Sequence, residues 1–147
     1  MNNTNEMTVS FSSNAQNEGF ARMVVAAFIT GTNPTLEEVS DVKTAVSEAV
    51  TNSIIHGYRD KEGKVTINAN ITGRSVYIEV SDKGKGIEDV KRAMEPMYTT
   101  RPDEERSGMG FSFMEAFMDK LEVYSEPGVG TTVKMWKEIG TASRQFE

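Results

Sequence analysis

Cysteine is absent from this chain, and histidine and tryptophan each occur once. Without cysteine there are no disulfides, no thiolate metal ligands and no cysteine nucleophile, a pattern compatible with a reducing compartment, so the cytoplasm is the expected location. A lone imidazole argues against a zinc site, and no Gly-x-Ser-x-Gly elbow supports a serine hydrolase triad. No stretch approaches the ~18 apolar residues of a membrane span. Met1 to Ser12 also lacks the basic start and apolar core of a secretory signal, so neither a membrane nor export is expected. Positive charge is in deficit too. The 16 Lys and Arg against 22 Asp and Glu give a net charge of −6 with no basic run, which would repel a phosphate backbone and makes nucleic acid an unexpected direct ligand.

What remains is a globular composition, 37% hydrophobic and 26% charged, able to bury a core. A length of 147 residues fits one domain, expected to span 1–147, with the polar stretch 138–147 as a loose tail. Alternation of Met7, Val9 and Phe11 with polar neighbours predicts a first strand, Met7 to Ser12. Helical spacing predicts a helix from Asn14 to about Thr30. A second begins at Thr35, where Thr35 and Glu38 form a capping box, and is expected to run to about Ile55 before His56-Gly57 stops it. Lys64 to Ile71 and Ser75 to Asp82 read as a strand hairpin. A short helical stretch, Glu88 to Met94, precedes an aperiodic segment to Ser107. Gly108 to Met118 is predicted helical, and Leu121 to Ser125 and Thr131 to Lys137 close the chain as a second hairpin. This order predicts an α+β, two-layer sandwich in which helices cover a mixed, mainly antiparallel sheet.

Four places in this framework carry chemistry. On the second helix Val42, Val46, Ala49, Val50, Ser53 and Ile54 share one sector, while Glu48 and Asn52 share another. The second sector is either a solvated polar face or a carboxylate and an amide presented together. Asp82-Lys83-Gly84-Lys85-Gly86 follows an apolar strand directly. It is either a tight turn or a loop whose glycines admit a ligand while Asp82 accepts a hydrogen bond from an amine. Arg106-Ser107-Gly108-Met109-Gly110 leads into a helix start, where unpaired N–H groups favour an anion, or is a plain loop-to-helix junction. Gly130-Thr131-Thr132 lies in the last turn. His56 at a helix end reads as a structural or capping histidine, and the nine Met and seven Phe as core and interface filler.

In this order, Glu48-x-x-x-Asn52-x-x-x-His56-Gly57, Asp82-x-Gly84-x-Gly86, Ser107-Gly108-Met109-Gly110-Phe111 and Gly130-Thr131-Thr132 resemble the N, G1, G2 and G3 boxes of the GHKL ATPase and kinase superfamily, over about Asn14 to Lys137. Within it the chain is similar to the anti-sigma factor serine kinases of the sporulation type. The resemblance implies the Bergerat ATP-binding fold, ATP or ADP with Mg²⁺ as cofactors, and a protein serine kinase that also sequesters a sigma factor. Its substrate would be a serine of an anti-anti-sigma antagonist, and it would act as a homodimer. It further implies Asn52 as the Mg²⁺ ligand, Glu48 as general base, and Asp82 on the adenine amino group, with Gly84 and Gly86 clearing space for the ring. Thr131 would support that contact. Ser107, Gly108, Met109 and Gly110 would cradle the phosphates, Arg106 would stabilise the transferred group, and Glu88 to Ser107 would form the ATP lid. Where histidine kinases usually have another glycine in the G2 box, this chain has Arg106. The same switch on a stress-response sigma factor, a nucleotide-gated binder without useful transfer, and an ATP hydrolase remain as alternatives. Arg22, among Phe20, Met23 and Val24 on the first helix, is either a solvated edge residue or an anchor for a protein partner.

Overall fold

The computed structural model describes residues 4–59, 61–95 and 110–140. Alternating side chains build five strands, β1 (Thr4–Ser12), β2 (Lys64–Thr72), β3 (Ser75–Asp82), β4 (Lys120–Glu126) and β5 (Gly130–Glu138). Their order in the sheet is β1-β2-β3-β5-β4, and every neighbouring pair is antiparallel. The mixed sheet expected from the sequence is therefore corrected: the described strands contain no parallel pair. Short turns at Gly73-Arg74 and Pro127-Gly128-Val129 reverse the chain within each hairpin, and β5 enters between β3 and β4.

Register sorts the residues by face. Ile67, Ala69 and Ile71 stand opposite Val80, Ile78 and Val76, and Ile78 and Val80 stand opposite Met135 and Val133, so one face is continuously apolar. The other carries Asn68, Tyr77, Glu79 and Trp136, joined by Asn68 Nδ2–Glu79 (3.1 Å) and Tyr77 Oη–Glu79 (3.0 Å) hydrogen bonds. Helices α1 (Asn17–Ile29), α2 (Leu36–Asn52) and α4 (Gly110–Phe117) cover the apolar face. They contribute Ala21, Val25, Ile29, Val42, Val46 and Met114 to the core, and α3 (Val90–Ala93) is a single short turn. Each fully buried aliphatic chain is worth about 1.5–3 kcal/mol of transfer free energy, so this face is the main source of stability. Among the described residues no helix is long and apolar enough to cross a membrane.

The capping box is present. The Thr35 side chain accepts from the Glu38 N–H (3.1 Å), and Glu38 Oε1 accepts from the Thr35 N–H (2.9 Å). The other Glu38 oxygen accepts from the Gly140 N–H at 2.7 Å, fastening the residues just after β5 to α2. Two expectations are corrected here. The tail expected from 138 is anchored through 140: Glu138 closes β5, Ile139 is fully buried and Gly140 is held by Glu38. The remaining tail, 141–147, lies outside the described residues. Nor does His56-Gly57 stop the second helix, which widens at Ser53 into a π-helical turn through Tyr58. Tertiary packing overrides glycine's stop signal: a Cβ on Gly57 would lie 3.1 Å from the Asp82 carboxylate, and the Gly57 carbonyl accepts from the Lys85 N–H at 2.8 Å.

Burial alone would raise the Glu38 pKa. Hydrogen bonds from the Thr35 N–H, the Gly140 N–H and the Thr35 hydroxyl, with the Lys137 charge, outweigh it and hold the carboxyl below its ordinary 4.5. A depressed carboxylate contributes its stability fully above the ordinary value and loses it as pH falls through the folded one. Glu38→Gln is thus expected to destabilise the fold by about 1–3 kcal/mol at neutral pH, the scale for unpairing a buried hydrogen-bonded charge. The gap should narrow on acidification below 4.5. Denaturant titrations of both proteins at neutral and acid pH check this, and a gap that stays constant would contradict it.

Candidate functional site

Beyond the end of α2, the π-helical turn, the Asp82–Gly86 loop, the start of α4 and the β4–β5 turn surround a cavity of about 720 Å³. Asp82 closes β3 and is 8% exposed. Its Oδ1 accepts from the Gly84 N–H at 2.9 Å, and the Ser53 hydroxyl and the Thr131 N–H donate to the same carboxyl. Burial nevertheless dominates, and the Asp82 pKa lies above its ordinary 3.8 despite those three donors. A carboxylate already satisfied on its protein side and facing a cavity is suited to receive a further N–H donor from a ligand.

Asn52 lines the cavity one helical turn beyond Glu48. Gly110, Phe111 and Ser112 bring the N-terminus of α4 to its wall, a place where unpaired N–H groups and the positive end of the helix dipole meet an anion. Arg59, Lys85 and Arg92 line it as well, beside Asp82, Glu88, Asp89 and Glu95, so charges of both signs meet here. A planar apolar group with an N–H donor at Asp82, and an anion at the start of α4, fit this lining. Thr131, opposite Asp82 in the ladder, is braced through its hydroxyl by Ser125 Oγ at 2.8 Å. That serine also accepts from the Ile87 N–H at 2.7 Å.

The structure therefore brings Asn52, Asp82, Gly86, Gly110 and Thr131 to one cavity. Glu48 is half-buried on α2 and is not among the residues that border it. Gly84 is corrected in its reason: a Cβ there would meet the Gly57 carbonyl oxygen at 2.2 Å, so this glycine lets the loop pack on the π-helical turn instead of clearing a ring. Gly86, at φ 77°, lines the cavity, but its Cβ would strike the Glu126 carbonyl at 2.3 Å, so it serves the approach to the β4–β5 turn as well. Arg106, Ser107, Gly108 and Met109 lie outside the described residues, as does the lid expected over Glu88 to Ser107 beyond residue 95.

Arg59 and Arg92 carry no motif that marks them in the sequence, and Ser53 and His56 take roles at the cavity that periodicity does not assign. Ser53 falls in the packing sector of the second helix, yet its hydroxyl donates to Asp82. The signal was its position as the polar member of an apolar sector, since a buried hydroxyl needs a partner. His56, expected to be structural, lines the cavity because the π-helical turn swings it there.

Comparison with known proteins agrees with this geometry. The histidine kinase-like ATPase domain family matches residues 11–137. The anti-sigma F factor of Thermoanaerobacter sp. (strain X514) is 60% identical over 141 residues, covering 96% of this chain and 99% of the relative. That of Clostridium botulinum (strain Eklund 17B / Type B) is 59% identical over 140 residues, covering 95% and 98%. The chain belongs to the anti-sigma F factor family. The crystal structure of the RsbU and RsbW domains of a Mycobacterium tuberculosis protein superposes with a TM-score of 0.67 over 92% of this chain, at 17% identity. This chain spans only 32% of that one, so the likeness concerns the fold. The residues that line the cavity all fall within the span 11–137 that the ATPase domain family matches.

Proposed function

We propose that this protein is an ATP-dependent serine kinase that holds a sporulation-type sigma factor in the cytoplasm and phosphorylates a serine of that factor's protein antagonist. The observation that carries the reading is the convergence of Asn52, Asp82, Gly110 and Thr131 on one cavity of nucleotide size. Its relatives' names, anti-sigma F factors at about three-fifths identity, support the partner. Asp82 takes the adenine amino group and Thr131 supports it, while Asn52 offers an amide oxygen to Mg²⁺, a cation that prefers oxygen ligands and keeps several waters. When bound, that ion would neutralise phosphate charge. The N–H groups from Ser107 to Gly110 receive the phosphates, Arg106 meets the charge that develops on the transferred group, and Glu48 accepts the proton of the acceptor serine hydroxyl. A self-associated homodimer is part of this proposal.

The proposed partner surface lies on α1. Met23 is 73% exposed and Phe20 46% exposed, and the Arg22 side chain, beside Met23, is 47% exposed, with its Nε 3.5 Å from a Glu18 carboxylate oxygen. An exposed methionine beside an exposed arginine is the composition of a protein contact. Arg22→Glu is expected to weaken sigma-factor or antagonist binding at least tenfold, about 1.4 kcal/mol or more, while leaving ATP affinity unchanged. Titration of each partner into the variant checks this. Undiminished affinity in a folded variant would remove α1 as the contact.

Kinase and hydrolase differ in what they require. Nucleotide consumption by the purified protein with Mg²⁺-ATP is expected only when the antagonist is present as acceptor. Steady release of phosphate without any second protein would favour the hydrolase instead.

A further inference from the structure

We propose that the Tyr58 hydroxyl is a positioning group for the adenine end of the cavity, holding the peptide that follows Asp82. Tyr58 ends the π-helical turn, is buried and does not line the cavity. Its hydroxyl donates to the Lys64 carbonyl at 2.6 Å and accepts from the Lys83 N–H at 2.8 Å. Lys64 opens β2 and Lys83 lies just beyond the end of β3. The last paired rung between these strands is Val65 opposite Asp82, so the hydroxyl sits one step past it, inserted between two strands that the ladder already joins.

The strands themselves do not need this bridge. What it adds is a fixed Lys83 peptide where the chain leaves the sheet. On the far side of Gly84, the Lys85 N–H donates to the Gly57 carbonyl, the residue next to Tyr58. The Lys83 and Lys85 peptides are thus both held by the end of the π-helical turn, and between them the Gly84 N–H reaches Asp82 Oδ1 at 2.9 Å. The ring is seated by Gly63, where a Cβ would lie 2.2 Å from Tyr58 Cε1. A hydroxyl that donates once and accepts once suits this gap, and phenylalanine would fill the same space with neither bond. The loss should then appear in how Asp82 meets a purine, not in the sheet.

The inference depends on the nucleotide reading above, and calorimetry separates the two. Tyr58→Phe is expected to weaken ATP binding about tenfold, the scale of one hydrogen bond with its partner left unpaired. It should also narrow the preference for ATP over GTP and leave kcat at saturating ATP within about twofold of the parent. In an Asp82→Asn background the same change should cost little, because both act on one contact. Parental affinity and preference in Tyr58→Phe, or an equal loss in both backgrounds, would overturn the role. If the parent itself binds no nucleotide, the nucleotide reading falls instead. Hydrogen exchange on the unmutated protein tests the same bond without a substitution: a slow Lys83 amide is expected, and one exchanging like a free loop amide would overturn the proposal.

Discussion

Replacing Glu48 with glutamine is expected to lower phosphotransfer by roughly 10²–10⁴, the range assigned to a general base, while ATP affinity stays within a few-fold. Glutamine keeps the shape and the hydrogen-bonding reach of the side chain and removes its ability to take a proton. Because Asn52 lines the cavity and Glu48 is expected to act only on the acceptor hydroxyl, the two positions should separate chemistry from binding. Asn52→Ala is expected to damage Mg²⁺-nucleotide binding itself. Single-turnover transfer at saturating ATP, with affinity measured independently, distinguishes the cases. Transfer at the parental rate by Glu48→Gln would remove the carboxylate from the mechanism.

Asp82→Asn is expected to weaken ATP binding by about 1–3 kcal/mol, the cost of a lost charge-assisted bond. The parent should discriminate against GTP, because guanine presents an oxygen acceptor where adenine presents an amino donor. The variant should lose much of that preference. Stability should move differently. Burial raises the Asp82 pKa above 3.8, and a group whose folded pKa is raised stabilises the fold below its unfolded value and loses that contribution as pH rises through the folded one. At neutral pH the cost of burying the charge therefore offsets part of what its three donors contribute, and the nucleotide-free variant is expected to melt close to the parent. A large drop in melting temperature with unchanged ATP affinity would assign Asp82 to the fold instead of the ligand.

Much of this architecture was legible because local signals and tertiary packing agree. The Thr35 and Glu38 spacing marked the start of α2, and alternation marked β3 from Ser75 to Asp82. β1 begins earlier than hydropathy suggests, since Thr4, Asn5 and Glu6 are polar yet pair with Thr72, Ile71 and Asn70 on the neighbouring strand. Such pairing leaves no trace in periodicity. The π-helical turn was not legible either, because what continues the helix past Gly57 is contact with Asp82 and Lys85, some 25 residues away in sequence as measured between Tyr58 and Lys83. For the same reason the motif glycines were legible as a pattern but not in purpose. Gly84 faces the Gly57 carbonyl, a neighbour that only the folded chain supplies. Ser53 was visible as a residue and hidden as a function, because its partner Asp82 arrives from another element.

The central claim is transfer of phosphate from ATP to a serine of a protein partner. Its most direct measurement is incubation of the protein with γ-labelled ATP, Mg²⁺ and a lysate of the source cells, followed by separation of labelled proteins and phosphoamino-acid analysis. One small labelled acceptor carrying phosphoserine is expected, and its label should vanish when Glu48→Gln replaces the parent. Label that accumulates only as free phosphate, with no protein acceptor, would contradict the account.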